Sequence, residues 1–197
     1  MASGDRGFFK VMDNIITENL RGFEIKFATR HGIFSEKGVD LGTKLLIDNL
    51  EIFDGSLIAD LGSGSGVVGI VAAKLNPRGH VHLLDDSLRS KELIEKNIEL
   101  NDLKNAEVYL SDLFSAVPGR TYSQIFCNPP QDKGNDFLEE LISECYKHLK
   151  NNGEVYLVVQ SHIKPVIERM FKKHFRNSTI VAHGKIHVVL KGIKNGS

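Results

Sequence analysis

The chain has 197 residues, 41 % hydrophobic and 25 % charged, with 25 basic side chains against 25 acidic ones. That suits one ordinary globular domain. It excludes a membrane helix, since no apolar run nears the roughly 18 residues required. It also excludes a disulfide framework or cysteine metal motif, since Cys127 and Cys145 stand alone. The N-terminal MASGDRGFFK lacks the apolar core of a signal peptide, so a reduced, cytoplasmic setting is expected.

In chain order, residues 8–20 (FFKVMDNIITENL) predict a short helix, and FEIKFA alternates like a strand. A polar, glycine-containing loop, TRHGIFSEKGVDLGT, leads into a helix in DLGTKLLIDNL with Asp40 as its candidate N-cap. Regular alternation follows. Short apolar strands are expected in LIAD, HVHLLD, AEVYL, YSQIFC and EVYLVVQ. Between them fall helices in GVVGIVAAKL, SLRSKELIEKNIELN and NDFLEELISECYKHLK. A last helix, KPVIERMFKKHF, carries Pro165 in its first turn, and the strands STIVAH and KIHVVL close the chain. This pattern defines an α/β fold with a doubly wound, mostly parallel sheet. No helix separates the last two strands, so they are expected to pair antiparallel through AHGK.

Charge is uneven along the chain. From Ser161 onward there are eight Lys or Arg and a single acid, Glu168. Such a tail suits a phosphate backbone, with Lys172, Lys173 and Arg176 as candidate contacts. A solvated helix face is the alternative.

The stretch ADLGSGSGVVG, Ala59 to Gly69, reads as strand, turn and helix. Gly62, Gly64 and Gly66 allow a sharp turn and close ligand approach. The helix start offers unpaired N–H groups at the carboxyl ends of the strands, where open parallel sheets bind ligands. Gly64, Gly66 and Gly69 also spell the dinucleotide pattern, and Asp85 falls 23 residues after Gly62, where a ribose-binding acid belongs. The loop alone therefore leaves open a dinucleotide, another adenosine cofactor, or a turn kept for packing. Asp60 favours a methyl donor, because a carboxylate there repels a pyrophosphate and suits an ammonium or sulfonium. Capping is the alternative role for Asp60, Asp85 and Asp86.

Asn128, Pro129 and Pro130 follow the strand YSQIFC, on the same side of the sheet. The two prolines hold the chain rigidly and have no N–H. The Asn128 amide oxygen and a free carbonyl are then two acceptors for an amine, which they would hold as its nitrogen attacks a methyl group. Cys127 and Cys145 read as core cysteines. His80 and His82 share a strand face but suggest no third ligand, so no metal is expected.

Asp60 to Gly69, Asp85, Ser111 to Phe114 and Asn128 to Pro130 together resemble the class I methyltransferases that modify amino groups. Gly32 to Leu46 (GIFSEKGVDLGTKLL) extends the likeness to the small-subunit ribosomal RNA guanine-N2 methyltransferase family. The resemblance implies a seven-stranded Rossmann-like sheet with its last strand antiparallel. It implies a single domain over residues 1–197, with residues 1–54 as an extension packed over the donor site. The implied cofactor is S-adenosyl-L-methionine, held by Asp60, Gly62, Ser63, Gly64, Gly66, Asp85, Asp86, Asp112, Leu113, Thr43 and Asn128.

Asn128, Pro129 and Pro130 would be catalytic, and Asp40, Phe34 and Gln131 would meet the substrate. Gln131 departs from the family pattern, which often has Tyr or Phe after the prolines to stack on the base. Phe34, or more loosely Phe8 or Phe9, would supply that plate instead. The implied partner is ribosomal RNA or the small subunit, with the enzyme a monomer or weak homodimer. Competing readings are an NAD-dependent oxidoreductase, an RNA-binding or assembly module without turnover, and a protein glutamine or small-molecule N-methyltransferase.

Overall fold

The computed structural model describes residues 14–29, 38–130 and 133–196. Its seven-stranded sheet uses β3 (Leu57–Leu61), β4 (His80–Asp85), β5 (Ala106–Leu110), β6 (Tyr122–Cys127), β7 (Leu149–Gln160), β8 (Thr179–His183) and β9 (His187–Ile193). The order is β5-β4-β3-β6-β7-β9-β8. The first five strands of that order run parallel, and β9 is antiparallel to both neighbours. The fold class and the antiparallel closing pair thus agree with the sequence reading.

Helices cover both faces of the central strands because β3, β6 and the second half of β7 are buried on both sides. On one face lie α1 (Leu41–Asp48), α2 (Val67–Leu75) and α3 (Leu88–Leu100), with Leu46, Ile70 and Ile94 packed in one core. On the other lie α4 (Asn135–His148) and α5 (Lys164–Phe175), with Leu141, Ile142, Phe171 and Phe175 in a second. A 3-10 turn, Ser161–Ile163, joins β7 to α5. No helix among the described residues is long and apolar enough to cross a membrane.

The helix expected over residues 8–20 is not formed by its described part. Asn14–Leu20 is strand β1, paired antiparallel with β2 (Phe23–Thr29). Arg21 and Gly22 make the turn at φ 53° and 85°, the left-handed pair of a tight two-residue hairpin. Ile16, Glu18 and Leu20 then share the inward face, a period of two that the helical reading overlooked. Residues 8–13, including Phe8 and Phe9, lie outside the described residues.

Side chains tie this hairpin to the helices. Asn97 of α3 accepts from Ala28 N (2.7 Å) and donates to Ser65 O (2.8 Å). Asn101 accepts from Lys26 N (3.1 Å) and donates to Lys26 O (2.6 Å). The two amides thereby satisfy the free edge of β2 as a neighbouring strand would. The Arg21 guanidinium caps the end of α1, donating to Ile47 O and Leu50 O, both at 2.9 Å. Glu18 accepts from Val39 N (2.9 Å) and pairs with Lys44 (2.8 Å), contacts that hold its carboxyl below the usual range despite the opposing effect of burial.

Candidate active site

The glycine turn leaves β3 at its carboxyl end. Gly62, Gly64 and Gly66 have φ of 69°, 58° and 81°, a run that residues with a Cβ avoid. Gly66 caps α2 without a side chain. Gly69 serves packing. A Cβ there would meet Leu83 Cδ2 at 2.5 Å and Asp60 Oδ2 at 3.0 Å, so the glycine lets α2 approach the sheet.

Asp85, buried at the end of β4, organises the turn. Its Oδ2 accepts from Gly64 N at 2.8 Å and its Oδ1 from Ser87 N at 3.0 Å. Ser87, rather than Asp85 or Asp86, caps α3 through Ser90 N at 3.3 Å. Asp60 is also buried. Its Oδ2 accepts from Gly69 N at 2.9 Å, and its carbonyl from the Ser63 hydroxyl at 2.7 Å. Burial, then repulsion from Asp85, pushes the Asp60 carboxyl up to about 7, against the pull of the Gly69 and Ser63 hydrogen bonds.

A cavity of about 390 Å³ opens on this turn. Gly62, Gly64, Asp85, Asp86, Ser111, Asp112, Leu113, Asn128 and Pro130 are among its lining residues. Leu113 holds φ 47° in the loop after β5. Ser111 fixes that loop by donating to Leu113 O (2.8 Å) and accepting from Ala116 N (3.1 Å). A smaller hollow of about 30 Å³ behind it is lined by Thr43, Asp60, Gly62, Ser63 and Asn128 among others. The two spaces share Gly62 and Asn128.

Asn128 leaves β6 beside the glycine turn, as parallel pairing of Leu61 with Cys127 requires. Its Nδ2 donates to the buried Thr43 hydroxyl at 2.9 Å, which leaves Oδ1 as an acceptor. Pro129 is buried and Pro130 exposed. Asp40 caps α1 through Gly42 N (2.8 Å) and Thr43 N (3.0 Å), so it positions Thr43. Its Oδ2 is buried without a hydrogen-bond partner among the described residues. Cys127 is buried, and desolvation raises its thiol well above the ordinary value, which argues against a nucleophile.

The lining carries Asp85, Asp86 and Asp112 and no Lys or Arg among the described residues. The Gly64 N–H, which a phosphate would need, is already bound by Asp85. An acidic lining with this N–H already bound disfavours a pyrophosphate and suits a neutral or cationic ligand.

Most of the predicted site residues meet here; three do not. Lys172, Lys173 and Arg176 end α5, which starts at the carboxyl end of β7 and runs back to the other end of the sheet. Asn177, next in the chain, exchanges hydrogen bonds with Ile193, whose partner Glu154 on β7 pairs in turn with Gln124 near the start of β6. Lys173 is also paired with Glu139. The strand-to-helix reversal thus carries these three to the end of the sheet opposite this pocket, away from Asn128. Phe34 and Gln131 lie outside the described residues.

Sequence comparison agrees with the geometry. Residues 24–191 match the family model described as "Methyltransferase small domain". The Bacillus subtilis (strain 168) protein YbxB is 32 % identical over 180 residues, 89 % of each chain. Ribosomal RNA small subunit methyltransferase C of Vibrio cholerae serotype O1 is 36 % identical over 157 residues, covering 77 % of this chain but 45 % of the relative. The chain thus spans about half the length of that relative.

Among solved structures, T. thermophilus 16S rRNA N2 methyltransferase RsmC, in complex with AdoMet and guanosine, superposes with a TM-score of 0.82 at 23 % identity. It covers 93 % of this chain and 51 % of that one. A ribosomal protein L11 methylase from Lactobacillus delbrueckii subsp. bulgaricus has the same fold, with a TM-score of 0.70 at 22 % identity. The chain belongs to the methyltransferase small-domain family.

Proposed function

We propose that this protein transfers a methyl group from S-adenosyl-L-methionine to the exocyclic N2 amine of a guanine in small-subunit ribosomal RNA. The observation that carries the reading is one cavity with carboxylates at one end and the Asn128–Pro130 corner at the other. The residues fit the donor: positive-φ glycines allow close backbone approach, and the acidic lining accepts hydroxyls and a cationic group.

When bound, the donor supplies an electrophilic methyl on a sulfonium. Asp85 would accept from the ribose hydroxyls, Asp112 and Leu113 would face the adenine, and Asp60 would favour the cationic end through the Gly62–Ser63 turn. Ser63, Gly64, Gly66 and Asp86 complete the donor wall. Asn128 Oδ1, with a main-chain carbonyl of this turn, would accept hydrogen bonds from the two N–H groups of the amine and aim its lone pair, and one of those protons would leave to solvent as the methyl–sulfur bond breaks. The nitrogen gains positive charge only as it attacks, so no strong base is needed, and in-line orientation supplies much of the rate.

Thr43, held by the Asp40 cap of α1, would stand beside Asn128 at the same site. RNA as the substrate class rests on the relatives' names and on the sequence motif, as does the small subunit as partner. The test is Asn128→Ala. Donor binding should stay within about threefold, while turnover on undermethylated small subunits should fall by about 100-fold or more. Unchanged turnover would remove Asn128 from the reaction.

A further inference from the structure

Three side chains able to ligate a metal meet at the far end of β4 from the donor cavity. His80 and His82 flank Val81, so both rings leave one face of the sheet. Glu107 is the register partner of His82 on β5, a pairing that sequence spacing does not disclose. One ligand atom from each of the three lies within 4.8 Å of the other two. The ring centroids of His80 and His82 are 5.5 Å apart, with planes at 87°. Two imidazoles on one tetrahedral ion, with metal–nitrogen bonds of about 2 Å, place their centroids about 5 Å apart. Binding one ion would draw the three ligand atoms from within 4.8 Å to about 3.3 Å of one another.

Outer contacts are also in place. His82 Nδ1 lies 3.1 Å from the Tyr122 hydroxyl, which leaves Nε2 for an ion. Tyr109 donates to Glu107 Oε2 at 2.7 Å, which leaves Oε1. Metal-bound histidines and carboxylates are generally oriented by such partners. Access is open as well. Glu107 is exposed, His80 is half-buried, and residues 111–121 join β5 to β6 without a helix over this part of the sheet.

We propose that His80, His82 and Glu107 bind a divalent transition-metal ion of the zinc type, which pins edge strand β5 to β4. Two imidazole nitrogens and one carboxylate oxygen favour Zn²⁺ over Mg²⁺ or Ca²⁺, and a water fills the fourth position. The site is independent of methyl transfer.

The test is isothermal titration of the untagged 197-residue chain with Zn²⁺ alone, alongside His80→Ala and Glu107→Gln. These positions spare the buried His82, and circular dichroism checks that both variants fold. The wild type should bind one equivalent with a Kd of about 10 μM or tighter, and its Tm should rise with Zn²⁺. Each variant should bind at least about tenfold more weakly and lose the Tm rise. A wild type with no stoichiometric binding below about 100 μM, or variants binding as tightly as wild type, would overturn the site.

Discussion

The Asn128 carboxamide donates to the Thr43 hydroxyl at 2.9 Å, joining α1 to the end of β6 across 85 residues of chain. An amide has one donor end and one acceptor end, so this bond decides which end meets the substrate. Thr43 is thus a positioning residue for Asn128. Thr43→Val should lower kcat by about tenfold and leave the donor Kd within about twofold. Thr43→Ser should restore most of kcat. Steady-state methyl transfer separates the cases, and equal kcat for Thr43→Val would remove this role.

Asp60 makes stability and donor binding depend on pH in opposite senses. Its carboxyl sits near 7 in the fold against an ordinary 3.8. Between those values the folded chain holds a proton that the unfolded chain has released. Stability from this group therefore falls as pH rises from about 4 to 7 and levels off above. A cationic donor prefers the ionised form, so its binding should tighten over the same rise and release a proton. Denaturation and calorimetry from pH 5.5 to 8 would read both slopes. Asp60→Asn should flatten both, and unchanged slopes in that variant would place their origin elsewhere.

Asp85 holds two backbone N–H groups of the donor wall, those of Gly64 and Ser87. Asp85→Asn gives one of them a donor in place of an acceptor. Affinity for the donor analogue sinefungin should fall by about 10- to 100-fold, with a stability loss of about 1–3 kcal/mol. Calorimetry and urea denaturation measure the two effects. Wild-type affinity in this variant would contradict the role given to Asp85.

Gly69 is a packing glycine in the position of a dinucleotide motif. Gly69→Ala drives a methyl group into Leu83 and toward Asp60 Oδ2. Unfolding free energy should drop by about 1–3 kcal/mol. A variant as stable as wild type would show that α2 has room to move.

The parallel core of the fold was legible because each strand and helix carries its own period and punctuation. Glycine turn, Asp85 and Asn128 were legible because they fall where the strands end. What escaped was nonlocal or masked by a stronger local pattern. NIITENL reads as helix until Arg21 and Gly22 are seen as a hairpin turn with two left-handed residues. The basic residues of α5 were visible, but the end of the sheet they reach depends on how the helix runs back from β7. Glu107 meets His82 only through interstrand register. The Thr43–Asn128 bond likewise needs α1 folded across β6.

The most direct measurement incubates the protein with methyl-labelled donor and undermethylated small ribosomal subunits, alongside free RNA and ribosomal proteins. RNA and protein are then digested and the labelled component identified. The account predicts label in N2-methylguanosine, at a rate that collapses in Asn128→Ala. Label on another atom or in a protein side chain, or none from any substrate despite tight donor binding, would contradict it.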